Sequence, residues 1–361
     1  MKREFLAATV AAACAAPALA QVPAEIQIYG RVNVSVEHIS VKNSSDTTAL
    51  PNQSHNELVD NASRIGFRGN KDLGGGLKAI WQVESLVKLD DSAGSTFASR
   101  DSWAGLAGDV GTLRLGRTNG PVYYATYDWI SMHNHDSGTS SDNLLAPVVK
   151  GSGAQGRQDN SIWYTSPKLG GAFTVDLIYS MVGEQRVAAG MNEPQQVGAV
   201  GAYDSGPIHL AVSYTARKNT SDLDPGAGIQ ANKDDAITVG GSYDFRFMVL
   251  GALYEKAESD VFGGTAKRDY FRVAVKVPVE KHEFHFNYGW VDHRLDVQAE
   301  DDGAKQWTLF YNYNLTKETK VYAFYTAVDN DTNGAYGFRQ VSPAVAGADF
   351  SSIGLGFRHN F

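Results

Sequence analysis

The amino-acid sequence predicts an all-β chain of sixteen antiparallel strands closed into a single barrel. Three observations lead there. Apolar and polar residues alternate with period two from about residue 26 to the last residue. Long and short connections follow one another down the chain. The composition combines 37 Gly, 17 Tyr and 16 Phe with only 11 Pro, a mixture suited to strands, tight turns and aromatic surfaces.

At the N-terminus, Lys2 and Arg3 precede an apolar run, Phe5 to Ala16, that is too short to span a bilayer. Pro17-Ala18-Leu19-Ala20 then places small residues where a signal peptidase reads. Residues 1–20 are therefore expected to be a signal peptide and 21–361 the barrel domain. A lipoprotein cut before Cys14 is the alternative, disfavoured because Ala11 stands where a larger aliphatic residue is usual. Cys14 is the chain's one cysteine and leaves with the leader, so the exported part carries no disulfide and no thiolate metal site. The formal charge of −8 argues against a nucleic-acid partner.

The expected strands cover roughly 26–39, 61–70, 77–89, 98–108, 111–118, 155–166, 171–181, 197–204, 207–217, 235–244, 247–257, 268–277, 281–293, 305–314, 319–328 and 349–361. In the first, Ile26, Ile28, Val32, Val34 and Val36 share one face, with Tyr29, Arg31, Asn33 and Glu37 on the other. Near the end, Ile353, Leu355, Phe357 and Phe361 share a face. Long polar loops are expected at 40–60, 181–196, 218–234, 257–267 and 328–348; short turns include 70–76, 108–111, 167–171, 203–207 and 314–317. An up-and-down barrel in an outer membrane places its loops in this way, and a chain with both termini in the periplasm needs an even strand count.

The apolar face is expected to meet lipid. Sixteen strands enclose a lumen too wide for side chains to fill. Arg31, Glu37, Lys78, Glu84, Asp176, Arg272, Lys276 and Glu283 share the opposite face, where water solvates them. A basic side chain at the bilayer midplane would cost roughly 2–4 kcal/mol. Tyr288, Trp290, Trp307, Tyr311, Tyr313 and Tyr322 lie near strand ends, as an interfacial girdle requires. Closure removes the open sheet edges that hydrocarbon does not tolerate.

Several motifs support a narrower reading. They are Ile28-Tyr29-Gly30, Ser63-Arg64-Ile65-Gly66-Phe67-Arg68-Gly69, the turn Asp72-Leu73-Gly74-Gly75-Gly76-Leu77-Lys78-Ala79, and Gly111-Thr112-Leu113-Arg114-Leu115-Gly116-Arg117. Asp159-Asn160-Ser161-Ile162-Trp163-Tyr164 and the ending Gly354-Leu355-Gly356-Phe357-Arg358-His359-Asn360-Phe361 complete the series. In this order the chain resembles the Gram-negative general diffusion porins of the neisserial and betaproteobacterial type, over essentially its whole exported length. The resemblance implies a homotrimer in the bacterial outer membrane, surrounded by lipid and lipopolysaccharide. It implies passive diffusion of small hydrophilic solutes and ions, and a terminal Phe361 read by the barrel-assembly machinery. It also implies that the long third loop, about 118–154, folds inward and narrows the barrel. Tyr127-Asp128-Trp129 departs there from the family's usual acidic-Pro-aromatic turn.

A constriction sets a diameter and a transverse field, and rings of charge tune which ions pass. By strand parity Arg64, Arg100 and Arg157 point into the lumen, with Arg114 and Arg31 on the same face. The resemblance places a basic cluster at the first three, and Asp128, Asp136 or Asp142 on the loop are their expected partners. A surplus of arginine there favours anions. The alternative is that these arginines only anchor the loop by ion pairs.

Other chemistry is weak. His133 and His135 on a polar loop are expected to be solvated or pore-lining rather than ligating. Asp329 to Gly334 matches half a calcium loop, but its twelfth position is Gln340 instead of a bidentate Glu. Asp222 with Asp224, and Asp301 with Asp302, offer at most weak calcium sites, so no cofactor is expected. A substrate-selective channel and an outer-membrane hydrolase are the alternatives, but no constellation of nucleophile, base and acid is recognisable, so an enzyme is not expected.

Overall fold

Alternation that runs almost unbroken through the sequence becomes, in the computed structural model, one continuous antiparallel sheet rolled shut. The structure describes residues 25–91, 96–131, 139–144, 157–181, 195–218, 233–261, 264–295, 301–338 and 345–361. The leader 1–20 and residues His133, His135, Asp136, Asp222, Asp224 and Gln340 lie outside the described residues, as does the side chain of Asp142.

The strands are β1 (Glu25–Lys42), β2 (Gln53–Asp60), β3 (Arg64–Gly74), β4 (Leu77–Leu86), β5 (Ser102–Gly108), β6 (Gly111–Thr118), β7 (Gln158–Thr165), β8 (Phe173–Met181) and β9 (Gln195–Ser205). They continue as β10 (Ile208–Lys218), β11 (Lys233–Asp244), β12 (Val249–Val261), β13 (Gly264–Val279), β14 (His282–Leu295), β15 (Ala304–Asn314), β16 (Thr319–Asn330) and β17 (Asp349–Asn360). Each pairs antiparallel with its neighbours, and β1 closes the ring by pairing β17 on one side, Val34 opposite Phe357. On its other side β1 meets both β2 and β3, with Val36 opposite Leu58 and Gly30 opposite Ile65. Since β2 and β3 run in line, they are two halves of one stave, and the barrel has sixteen.

That stave corrects the expected long loop at 40–60. Gln53 to Asp60 is strand, although its residues are almost all polar, because it pairs with the upper half of β1 and needs no lipid-facing apolar stripe there. The stave breaks at 61–63, where Ala62 takes a left-handed φ of 58°. Side chains replace the lost ladder: Asn33 Nδ2 donates to Asn61 O at 3.0 Å, and Ser63 Oγ accepts Asn33 N at 2.9 Å. The long loop expected at 257–267 is also shorter than predicted, since β12 runs on to Val261 and β13 starts at Gly264.

The sheet is turned inside out relative to a soluble barrel. Ile353 and Leu355 are 56% and 69% exposed, while Ser352 on the other face of β17 is buried. Leu210, Val212, Leu177, Phe284 and Phe286 are likewise exposed, and His209, Ser213, Asn287 and Thr308 are buried on the inner face. The apolar stripe therefore faces outward, where lipid covers it. Trp290 joins this outer surface. Tyr322 does not: it is 3% exposed and points inward, its hydroxyl donating to Asn33 Oδ1 at 2.9 Å and accepting Asn61 Nδ2 at 2.9 Å. To get there its ring crosses β17 directly over Gly356, where a Cβ would sit 2.1 Å from the ring. Strand parity alone would have placed it inward; grouping it with the girdle overlooked the glycine beside it.

The third loop leaves β6 at Thr118 and rejoins at β7. Its first part is helical, with a turn at Gly120–Val122, a wider turn at Tyr123–Tyr127 and a further turn at Asp128–Ser131. A tighter turn follows at Ser141–Leu144.

Candidate functional site

The site is built on the inner wall formed by the consecutive strands β3 to β7. Arg64 opens β3, and strand parity turns it inward with Gly66. Glu84 is buried on β4 and acts as a hub. The Arg64 Nε lies 3.9 Å from its Oε2, Tyr29 donates to the same oxygen at 3.1 Å, and the Arg100 Nε is in direct contact with Oε1.

Asp101 is a second hub. Its Oδ1 accepts Arg157 Nε at 2.8 Å. Its Oδ2 accepts the Tyr124 hydroxyl at 2.6 Å and Thr118 Oγ1 at 3.2 Å. Burial, then the adjacent Asp101 carboxylate, push the Tyr124 phenol well above the ordinary tyrosine range, so it stays a donor.

Three guanidinium groups thus gather around two carboxylates. The side chains of Arg64, Arg100 and Arg157 remain 18%, 15% and 19% exposed, so each is anchored and still open to solvent. Arg100 and Arg157 were expected within strands, but they stand just outside them, before Ser102 and Gln158. The chain bends at Arg100 and Asp101, before β5 begins, so the two consecutive side chains both stay on the inner wall, Arg100 on Glu84 and Asp101 on Arg157. Counted back from the outward Ala104 and Leu106, strict parity keeps Asp101 inward with Trp103 and would have sent Arg100, not Asp101, to the lipid side.

Sequence reasoning missed Asp101 and did not assign Glu84 as a partner because it looked to the loop for carboxylates. Asp128 lies further along the loop, beside Trp129, whose Nε1 donates to Ser242 Oγ on β11 at 2.7 Å. Asp142 belongs to the turn Ser141–Leu144.

The two remaining candidate arginines stand apart from these hubs. Arg114 is near the short turn after β5, donates to Thr165 Oγ1 at 3.1 Å, and packs between Trp103 and Trp163 with its Cζ 5.2 and 4.4 Å from the rings. Arg31 pairs in register with Arg64 but turns its Nε to Asn360 Oδ1 at 3.1 Å.

Beyond Tyr124 the described part of the third loop runs along the inner wall away from the clustered arginines. Ala125 O faces His209 Nε2 at 2.8 Å on β10, and the Trp129 ring stacks on the His209 ring with centroids 3.8 Å apart. Further on, Asn287 donates to Ser131 O at 3.3 Å and Gln306 to Ser140 O at 3.0 Å. Among the described residues no group of three or more His, Cys, Asp or Glu side chains is arranged to hold a metal ion.

Comparison with known proteins agrees with this geometry. Residues 7–333 match the family described as Gram-negative porin. The chain belongs to the Gram-negative porin family. Outer membrane porin protein 32 of Delftia acidovorans is 30% identical over 374 residues, covering all of both chains. The major outer membrane protein P.IB of Neisseria lactamica is 32% identical over 171 residues, 47% of this chain and 48% of its own. Among solved structures, the anion-selective porin from Comamonas acidovorans superposes with a TM-score of 0.80 at 25% identity, covering 94% of this chain and all of that one. This porin is therefore an outer-membrane channel for passive diffusion of small hydrophilic solutes and ions, and not an enzyme.

Proposed function

We propose that the channel prefers anions and that Arg64, Arg100 and Arg157, with the third loop, form its narrow point. One observation carries the reading: three solvent-touching guanidinium groups share two carboxylates, Glu84 and Asp101. The local balance is positive although the whole chain is at −8. Distant loop charges count for little, since salt screens them over about 8 Å at physiological strength. Asp101 holds Arg157 and the loop's Tyr124 together, so anchoring the loop and biasing the pore are two roles of one cluster. The anion-selective relative from Comamonas acidovorans supports the same sign.

The reading includes three copies per assembly, a rim of lipopolysaccharide, and a leader over 1–20 removed on export. Recognition of the C-terminus by the barrel-assembly machinery is supported by the outward run Ile353, Leu355 and Phe357 ending at Phe361. External acidic loops contribute at most weak calcium binding. The test is the zero-current potential in a potassium chloride gradient, for the wild type and for the triple variant Arg64→Gln, Arg100→Gln, Arg157→Gln. An anion-driven potential that collapses in the variant is expected; a cation-driven potential in both overturns the reading.

A further inference from the structure

Behind the third loop lies a guanidinium that the diffusion pathway does not use. Arg272 on β13 is 1% exposed. Its Nε donates to Tyr270 Oη, its Nη2 to Gln306 Oε1 on β15, and its Nη1 reaches Asn287 Oδ1 on β14 at 3.5 Å. The register explains the reach, because Arg272 stands opposite Gly289 and Gly289 opposite Gln306. The side chain crosses β14 over that glycine, where a Cβ would lie 3.0 Å from Nη2.

The consequence follows from donor and acceptor chemistry. Arginine has five N–H donors and no acceptor, so an amide can offer it only its oxygen. Once that oxygen is engaged, the NH2 group must point the other way. For Asn287 and Gln306 that direction is the third loop, where Nδ2 donates to Ser131 O at 3.3 Å and Nε2 to Ser140 O at 3.0 Å. Flipping either amide would set NH2 against guanidinium, donor against donor, and would turn an oxygen toward a loop carbonyl.

We propose that Arg272 is a positioning residue for the constriction loop. One buried cation fixes the orientation of two amides, and these hold the loop backbone at Ser131 and Ser140. The inference rests on the reading that this loop narrows the pore. Arg272 touches no permeating ion, and its effect is on how steadily the loop lies against the wall.

Two substitutions separate this role from simple support of the fold. Gly289→Ala introduces a Cβ into the space of the guanidinium and alters no charge. Gln306→Glu keeps an acceptor for Arg272 but removes the donor to Ser140 O. Single-channel recording of each refolded variant is expected to show a several-fold rise in open-channel current noise and a broadened distribution of unit conductance. The unfolding temperature should stay close to wild type. Wild-type noise and conductance in both variants overturn the proposal, whether or not the unfolding temperature falls. Should Gly289→Ala fail to fold, Gln306→Glu decides alone. Failure here leaves the anion reading standing, because that reading is tested by the zero-current potential of the arginine variant.

Discussion

Tyr124 on the third loop and Arg157 before β7 meet on the two oxygens of one carboxylate, Asp101, at 2.6 and 2.8 Å. The loop and the basic wall are therefore held in a fixed relation by a charge-assisted pair of bonds, each stronger than a neutral one.

Tyr124→Phe removes one of those donors, a loss of about 1.5–3 kcal/mol for a hydrogen bond to a charged group. Asp101 then presents more negative charge to the lumen, and anion preference should fall, though less than in Arg157→Gln. The zero-current potential measures both. Burial and Asp101 raise the Tyr124 phenol, so its neutral donor form persists through about pH 10, where a free tyrosine would titrate. The bond is present below the raised value and lost only above it. The difference between wild type and Tyr124→Phe should therefore be the same at neutral pH and at pH values near 10.

Neutralising the two signs of the cluster separately should move selectivity in opposite directions. Two unit charges 4 Å apart in water interact by about 1 kcal/mol, roughly a fivefold change in local ion concentration. Arg157→Gln should lower the anion-to-cation permeability ratio a few-fold, and Glu84→Gln should raise it. Equal ratios in both variants would show that neither charge acts on permeating ions.

Raising the salt concentration should weaken the preference without altering the barrel. The Debye length falls from about 10 Å at 0.1 M to about 3 Å at 1 M. Zero-current potentials recorded at a constant concentration ratio should move toward zero as both sides are concentrated.

Gly356→Val should destabilise the closing seam. Its Cβ would meet the Tyr322 ring at 2.1 Å and displace the hydroxyl from Asn33 and Asn61. Overpacking of this kind costs about 1–3 kcal/mol, and the temperature at which the folded gel band is lost should drop accordingly.

Much of this architecture is written locally in the chain. Leu355 outward and Ser352 inward follow from period-two alternation, since a one-residue slip would reverse every side chain. Such alternation exists only where one face must be apolar. Gln53–Asp60 pairs with the upper part of β1, carries no such constraint, and so reads as loop. The site was half legible for a related reason. Arg64 and Asp101 follow parity, but Arg100 reaches Glu84 only because the backbone bends out of extended alternation before β5 begins. The contacts of Asn287 and Gln306 with the loop join residues 156 and 166 positions apart, and no local pattern announces them.

The most direct test of the whole account is planar-bilayer conductance of the purified, refolded chain. Large, ohmic, stepwise openings, grouped in threes, with an anion-driven potential under a salt gradient, are expected. A folded and inserted barrel that carries no current would contradict the account.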